Sequence, residues 1–289
     1  MKTALQKSAI PKTHAFVVEA LEQPNFDPNL HFHSEYQIFL VLKGSGTRMI
    51  GDSVKPFKEG DLVFIGPDLP HLWRSDNEGL NVEKKSWSKG IVIYFHEDFI
   101  SESLMGKEEL IKLKQLFHKS LRGIEVTGGT AKIIRKMMVG LLKIEGFESV
   151  LKLFKILNYL SLSDKLKLLA SSGYTNSLKD GDTDRMNKVQ DYVMGNFKHK
   201  ISIREVASIA NLTPTSFSRY FKIHANKTFS EFLSEIRIGN ACKLLIEEQM
   251  NITQACYESG FQTISNFNKQ FKMITHRTPT AYKLEYGVK

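Results

Sequence analysis

The chain has little cysteine and no long hydrophobic run, and each shortage excludes a class of protein. Two cysteines in 289 residues are too few for a disulfide framework or a cysteine-based metal site. Cys242 and Cys256 lie in predicted helices, and we interpret them as buried packing residues. No apolar run approaches the roughly 20 residues of a membrane-spanning helix. We therefore expect no membrane partner.

Two further shortages concern the N-terminus and the acidic residues. The first eleven residues lack the apolar core of a secretory signal, and we therefore expect a cytoplasmic protein. Asp and Glu number 31 against 40 Lys and Arg, which gives a net charge of +9. Of that excess, +6 falls in residues 184–289. Positive charge concentrated in one part of the chain is what attraction to nucleic-acid phosphates requires.

One helical unit occurs twice between Ile201 and Lys283. The first copy joins a short helix from Ile203 to a second helix that begins after Thr213. The first helix recurs 49 residues later and the second helix 50 residues later, which assigns one extra turn residue, Gln262, to the second copy. A short helix, a tight turn and a second short helix form the helix-turn-helix pattern of DNA-binding proteins.

The helix starts in both copies carry capping residues. Ser202 with Glu205 predicts a capping box, and Asn251 with Gln254 predicts a looser one. Thr213 and its counterpart Thr263 are predicted N-caps of the second helices. These matched signals favour a true duplication.

The second helix of each copy has one apolar face and one polar face. Phenylalanines spaced i, i+4 mark the side that we expect to be buried: Phe217, Phe221, Phe267 and Phe271. Hydroxyl, amide and cationic side chains remain for base edges and phosphates: Thr215, Ser216, Ser218, Arg219, Ser265, Asn266, Asn268 and Lys269. An ordinary solvated face is the alternative, and two matched copies favour DNA.

The segment between the copies predicts one amphipathic helix over residues 228–245. Thr228 with Glu231 predicts its capping box. About 18 residues at ~1.5 Å each span ~27 Å. A rod of that length holds two recognition helices about one DNA turn, ~34 Å, apart.

Residues 185–285 resemble the DNA-binding domain of the AraC-type bacterial transcription regulators. The residues that carry the resemblance are Phe232, Leu233, Arg237, Ala241, Leu244, Leu245, Gly260, Phe261, Phe267, Phe271, Lys272, Thr278, Pro279, Tyr282 and Lys283. The family usually has Gly after each recognition helix, where this chain has Asn226 and His276. Both residue types tolerate positive φ better than most, and we expect the fold to be kept.

The resemblance also implies partners. It implies double-stranded operator or promoter DNA, RNA polymerase, a small-molecule effector and a homodimer. It leaves open the operator, the effector and the choice between activation and repression.

The N-terminal part reads as short strands from about residue 14 to residue 96, separated by Gly and Pro turns. Such a pattern is typical of a sandwich or barrel. His31 and His33 precede the strong strand at 36–42, and His71 follows a later strand. This arrangement resembles a cupin, the small barrel found at the N-terminus of many AraC-type proteins.

The cupin resemblance raises the question of a metal. Metal-binding cupins carry a Glu where this chain has Gln37, and a neutral amide is a poorer ligand than a carboxylate. Glu35 has the strand parity of His33 and Gln37, which predicts the same face. A metal site, an effector pocket and hydrogen-bonded structural residues remain open. We assign His31, His33, Gln37 and His71 to an effector pocket and expect no metal and no cofactor.

The remaining segments complete the domain plan. Helical periodicity runs from about residue 97 to residue 170, followed by a polar stretch rich in Ser, Gly and Asp. We predict an α+β protein with a cupin-like β-barrel and accessory helices, followed by an all-α double helix-turn-helix domain. The domains are an effector barrel at 1–105, a helical accessory or dimerisation region at 106–170, a linker at 171–184 and a DNA-binding domain at 185–289.

The sequence therefore predicts a sequence-specific DNA-binding transcription regulator that is not an enzyme. No phosphate-binding loop, activated nucleophile or paired acid stands out in it. The alternative is a cupin-type metal-dependent enzyme fused to a DNA-binding domain, and Gln37 argues against it.

Overall fold

The computed structural model describes residues 10–76, 87–178, 182–246 and 249–286. The chain divides into two compact units, one of residues 1–53 with 57–176, the other of residues 54–56 with 177–289. The main division therefore falls inside the segment 171–184, for which we predicted a linker. The end of that segment is helical, because a helix begins at Asp182.

The first unit contains two β-sheets. The larger has the strand order β1-β7-β2-β5-β8-β9 and is antiparallel at every pairing. The smaller has the order β4-β3-β6. The strands are β1 (Phe16–Gln23), β2 (Tyr36–Lys43), β3 (Gly46–Ile50), β4 (Ser53–Phe57), β5 (Leu62–Ile65), β6 (His71–Ser75), β7 (Ser88–Phe95), β8 (Ile124–Val126) and β9 (Leu166–Leu168).

Strand β2 is apolar on both faces because both faces are covered. Successive side chains of a strand point to opposite sides. Ile38 and Leu40 join a core shared with the helices, whereas Phe39 and Val41 join a second core that includes Trp73 of the smaller sheet. The larger sheet therefore lies between a helical layer and the smaller sheet, which confirms the predicted cupin-like α+β class.

The helical layer consists of α1 (Glu102–Met105), α2 (Ile111–Ser120), α3 (Gly128–Leu141) and α4 (Gly146–Ser161). Leu116, Met138 and Leu157, one from each of the three longer helices, are fully or almost fully buried in the first core. The region 106–170 is not wholly helical, however, because β8 and β9 extend the larger sheet from within it. Strands of three residues are too short to leave a period in the sequence, and the pairing of β8 with β5 and of β9 with β8 decides their conformation.

From Asp182 onward, the described residues of the second unit form helices and the connections between them. Its helices are α5 (Asp182–Asn196), α6 (Ile203–Ile209), α7 (Pro214–Ala225), α8 (Phe229–Ile246), α9 (Ile252–Glu258), α10 (Ile264–Thr275) and α11 (Pro279–Tyr286). The duplicated unit is therefore α6–α7 and α9–α10, and α8 is the predicted helix between them. Cys242 and Cys256 are free thiols in the buried core around α8, as predicted.

The predicted helix caps are present. In α6 the Ser202 N–H donates to Glu205 Oε2 at 2.6 Å, and the Glu205 N–H donates to Ser202 Oγ at 3.3 Å. The cap at the start of α9 is also a complete capping box. Asn226 and His276 follow the two recognition helices at φ 53° and 59°. These residue types therefore take the left-handed position that the family usually gives to Gly.

The described helices include none that is both long enough and apolar enough to cross a membrane.

A glycine in the turn of the second copy is required by its surroundings. Gly260 has φ +85°, and a Cβ there would overlap the carbonyl oxygen of Phe197. That carbonyl also accepts a hydrogen bond from Arg237 Nε at 2.8 Å. The turn therefore packs against the α5–α6 connection at backbone distance.

We expect Gly260→Ala to lower the free energy of unfolding of the second unit by more than ~1–2 kcal/mol, the cost of a left-handed L-residue, because the overlap adds to it. Gly195→Ala is the matched control: a Cβ there has no neighbour within 4 Å, and Ala favours a helix. Denaturant titration followed by circular dichroism measures both. Equal loss in the two variants would contradict the assignment.

The division between the units predicts which C-terminal fragment is the more stable. Ser177 Oγ lies 3.0 Å from His224 Nδ1, and Tyr220 Oη donates to the Asp182 carbonyl at 2.8 Å. A fragment of residues 177–289 should therefore melt at a higher temperature than one of residues 185–289, which lacks both contacts. Calorimetry of the two fragments tests this expectation, and identical melting temperatures would contradict it.

Candidate nucleic-acid interface and effector pocket

Helices α7 and α10 each present one exposed face. Their phenylalanines, Phe217, Phe221, Phe267 and Phe271, are 0% exposed. The eight residues predicted to contact DNA all lie on the opposite, exposed side: Thr215, Ser216, Ser218, Arg219, Ser265, Asn266, Asn268 and Lys269. The two faces therefore have the polar composition that the sequence predicted.

Hydrogen bonds within α7 engage two of its hydroxyls. Ser216 Oγ accepts from Thr213 Oγ1 at 2.9 Å, and Ser218 Oγ donates to the Pro214 carbonyl at 2.9 Å. Both oxygens keep lone pairs for donors on DNA. Arg219 and Lys269 form no ion pair among the described residues, and both side chains are exposed. These two cations are the strongest candidates for direct contact.

The sequence did not predict the contacts of Tyr220, which anchor α7 to the start of α5. The ring of Tyr220 lies 4.5 Å from the ring of His224 and under the guanidinium of Arg185 at 5.3 Å. Burial raises the pKa of Tyr220 to about 12, and burial lowers the pKa of His224. The segment that brings Ser177 and Asp182 to these rings is polar and aperiodic, and so its sequence carried no signal for packing.

The four residues assigned to the effector pocket come together in the first unit. The ring centroids of His31 and His71 are 4.5 Å apart, and those of His33 and His71 are 5.0 Å apart. His33 Nε2 lies 2.9 Å from Gln37 Oε1. Residues from the segment before β2, from β2 and from β6 thus form one polar group.

Backbone carbonyls orient the three imidazole rings. Nδ1 of His33 donates to the Glu35 carbonyl at 3.1 Å. Nδ1 of His31 donates to the Asn29 carbonyl at 2.8 Å, and Nδ1 of His71 donates to the Leu69 carbonyl at 2.7 Å. Burial lowers the pKa of both rings, which keeps them neutral with the Nε2 lone pair available. Nε2 of His71 is buried without a hydrogen-bond partner among the described residues.

Glu35 does not lie where its strand parity predicted. Its carboxylate is buried and approaches His33 at Nδ1, at 3.4 Å, on the ring edge away from Gln37. The backbone is irregular before β2 begins at Tyr36, and so the alternation of a regular strand does not reach it. Glu35 therefore lies behind His33 and orients it.

An open cavity of about 100 Å³ adjoins the histidines. Its lining is Leu21, Gln23, Phe26, Asp27, His31, Gln37, Phe39, Trp73, Val92 and Tyr94. His31 and Gln37 are therefore in the wall, whereas His33 and His71 lie behind it. Burial raises the pKa of Tyr94, which keeps its hydroxyl neutral. The sequence did not single out Tyr94 or Trp73, because strand pairing alone brings them to this wall.

Comparison with known proteins identifies both units. Residues 14–139 match the model of an AraC-like ligand binding domain. Residues 206–285 match the model of a helix-turn-helix domain. Together the two matches cover more than half of the chain, in the order that the fold shows. The chain belongs to the AraC-type transcription regulators. It is a DNA-binding transcription regulator with a ligand-binding domain.

Relatives of this AraC-type chain include other regulators. It is 23% identical over 258 residues to the HTH-type transcriptional regulator YdeC of Bacillus subtilis. The aligned residues cover 88% of this chain and 85% of YdeC. It is 30% identical over 100 residues to an HTH-type transcriptional regulator of Staphylococcus aureus, and it spans only 13% of that protein. Among solved structures, ToxT of Vibrio cholerae O395 is 14% identical over 94% of this chain and 98% of ToxT, with a TM-score of 0.37.

The cupin-like fold of this AraC-type regulator raises the question of a metal, and the donor atoms present indicate which cations could fit. One nitrogen from each of His31, His33 and His71 lies within 4.8 Å of the others. Three imidazoles fit a borderline cation such as zinc, which they would hold as a Lewis acid beside the cavity. Manganese and non-haem iron sites take a carboxylate. The carboxylates of Asp27 and Glu35 approach Nδ1 of His31 and of His33, at 3.9 and 3.4 Å, and neither belongs to the group of three nitrogens.

We therefore expect purified protein to contain less than one equivalent of iron or manganese. Gln37→Glu supplies the missing carboxylate and should raise the manganese content. Gln115→Glu, on the exposed side of α2, is the matched control and should change nothing. Elemental analysis measures all three proteins. Stoichiometric iron or manganese in the wild type that disappears in a His31→Ala, His71→Ala double variant would contradict the expectation and revive the enzyme alternative.

Proposed function

We propose that this chain binds specific operator DNA by inserting α7 and α10 into two successive major grooves, and that its N-terminal unit responds to a small effector. The observation that carries the proposal is the equivalence of the two exposed faces. Arg219 and Lys269 lie 50 residues apart in sequence, on helices with the same Thr cap and the same pair of buried phenylalanines. A helix face used for packing alone needs no such repetition.

The length of α8 supports the two-groove arrangement. The helix has 18 residues, which at ~1.5 Å each span ~27 Å. Successive major grooves on one side of DNA are ~34 Å apart. A rigid helix of this length between the copies holds them at a spacing comparable to one turn.

Charge supports the proposal too. The net charge of residues 184–289 is +6, and Lys222 and Lys272 are exposed at equivalent places in α7 and α10. Cations beside the groove-facing residues neutralise phosphates and fix the register of the helix on the duplex.

The proposed effector site is the cavity walled by His31 and Gln37, with His33 and His71 behind it. Its lining combines aromatic and aliphatic carbon with a few polar groups, the usual composition of a small-molecule site. We propose no enzymatic activity, because Gln37, an amide, stands where a metal-dependent cupin enzyme has a carboxylate. A homodimer, contact with RNA polymerase and a cytoplasmic location are further parts of the proposal that family membership supports.

Arg219→Ala tests base recognition. Arg grips guanine with two parallel hydrogen bonds, and so the substitution should weaken binding to the best site by ~1–3 kcal/mol and relax preference at one base position. Binding titrations on sites selected from random DNA, and on single-base variants of them, measure both effects.

Lys269→Ala is the comparison at the equivalent place of α10. Lys acts as a point charge, and so this change should weaken all sites evenly and reduce the salt dependence. Footprinting should reveal two protected patches ~10 bp apart on one side of the duplex. If both variants fold and bind operator DNA like the wild type, the duplicated unit does not contact DNA.

A further inference from the structure

Each recognition helix carries a large apolar side chain on its exposed face, close to its C-terminal end. Ile223 in α7 is 54% exposed, and Met273 in α10 is 52% exposed. The two residues are 50 positions apart, the same offset as Phe221 and Phe271. The duplicated unit therefore repeats an exposed apolar residue together with its buried anchors.

The angular position of Ile223 puts it on the proposed DNA-facing side. Each residue of an α-helix advances by roughly 100°. Phe217 and Phe221 define the buried direction of α7, and Arg219 lies opposite them. Ile223 follows Arg219 by four residues, and hence lies only about 40° from it. Ile223 therefore lies on the same side of α7 as Arg219, one turn nearer the C-terminus of the helix.

The same holds for α10. Phe267 and Phe271 are buried, Lys269 lies opposite, and Met273 follows it by four residues. Single exposed apolar residues are common on protein surfaces and by themselves carry no meaning. Here the position recurs in both copies, and Ile264 at the start of α10, 37% exposed, has Pro214 and no large apolar residue at the matching place of α7. A contact made by both recognition helices accounts for the repetition.

The major groove offers one apolar group on the edges of its base pairs, the C5 methyl of thymine. We propose that Ile223 and Met273 each pack against a thymine methyl, and so select T·A pairs beside the bases that Arg219 and Lys269 contact. The inference rests on the proposed insertion of α7 and α10 into major grooves. It adds two specificity-determining residues that polar patterning does not reveal.

The two side chains differ in how sharply they discriminate. Ile is branched at Cβ and holds one preferred rotamer in a helix, and so its contact surface is fixed. Met is unbranched and adapts to different shapes. Ile223 therefore enforces thymine at its position more strictly than Met273 does.

Deoxyuridine isolates the methyl group in an experiment. It pairs with adenine and presents the same hydrogen-bonding edges as thymine, and it lacks only the C5 methyl. Binding sites are first selected from random DNA with the full-length protein. Each thymine of the best duplex is then replaced singly by deoxyuridine, and binding of the full chain is titrated at fixed salt.

Loss of one buried methyl corresponds to about a fourfold loss of affinity. We expect one thymine at which deoxyuridine weakens the wild type by this factor. Ile223→Ala should weaken binding to the thymine duplex and bind the thymine and deoxyuridine duplexes equally. A second thymine, about 10 bp away, should respond in the same way to Met273→Ala, with a smaller factor.

Leu284→Ala is the matched control. Leu284 is 79% exposed and lies in α11, outside the recognition helices. This variant should retain the full deoxyuridine effect at both thymines. Circular dichroism of each variant confirms folding, which all three exposed positions should preserve.

Several outcomes overturn the inference. They are selected sites without a preference for T·A at these positions, thymines that all tolerate deoxyuridine, or a deoxyuridine effect that persists in Ile223→Ala and Met273→Ala. If footprinting still gives two protected patches and Arg219→Ala still weakens binding, the two-groove proposal survives and only the methyl contacts fail. If no patches are protected, both fail.

Discussion

The burial of paired phenylalanines is the constraint on which the DNA-binding unit depends. Phe217 packs edge-on against Phe229 of α8 at 5.7 Å between ring centroids, and Phe221 packs against Phe232 at 5.2 Å. Each fully buried ring contributes about 1.5–3 kcal/mol, and edge-to-face geometry adds to this. Since a helix has two sides, fixing the aromatic side inward fixes the polar side outward.

The second copy uses the same constraint with different partners. Phe267 packs against Phe261 at 5.3 Å, and Phe271 packs edge-on against Tyr282 of α11 at 5.5 Å. Residues of α8, among them Leu245, belong to the same core. The long helix therefore supplies apolar partners to both recognition helices, and it makes their separation a property of one rigid element.

The ligand-binding unit depends on a different constraint, the burial of both faces of the larger sheet. One face is covered by helices and the other by the smaller sheet, and so apolar residues fill both. Polar groups on the inner face are tolerated only where they find partners. His33 meets Gln37, and the Nδ1 atoms of His31 and His71 find backbone carbonyls. The aromatic side chains of Trp73 in β6 and Tyr94 in β7 then complete the wall of a small cavity beside the histidines.

The sequence predicted the features whose causes are local. A capping box depends on residues three apart, an apolar helix face on residues three or four apart, and a duplication on matched spacing. Ser202 with Glu205, the four phenylalanines and the eight exposed polar residues could therefore be predicted from the sequence. The apolar residues Ile223 and Met273 lie on the same faces, and a pattern of polar residues does not reveal them.

Tertiary structure decided whatever depends on residues far apart in the chain. Strand pairing brings His71 to His31, places Tyr94 beside Gln37 and recruits β8 and β9 into the larger sheet. The irregular backbone just before β2 places Glu35 behind His33. A period-2 pattern gives the face of a side chain within a strand and is silent on which strand lies next to it. The sequence alone thus determined the exposed polar faces of α7 and α10, whereas the cavity exists only because distant strands pair.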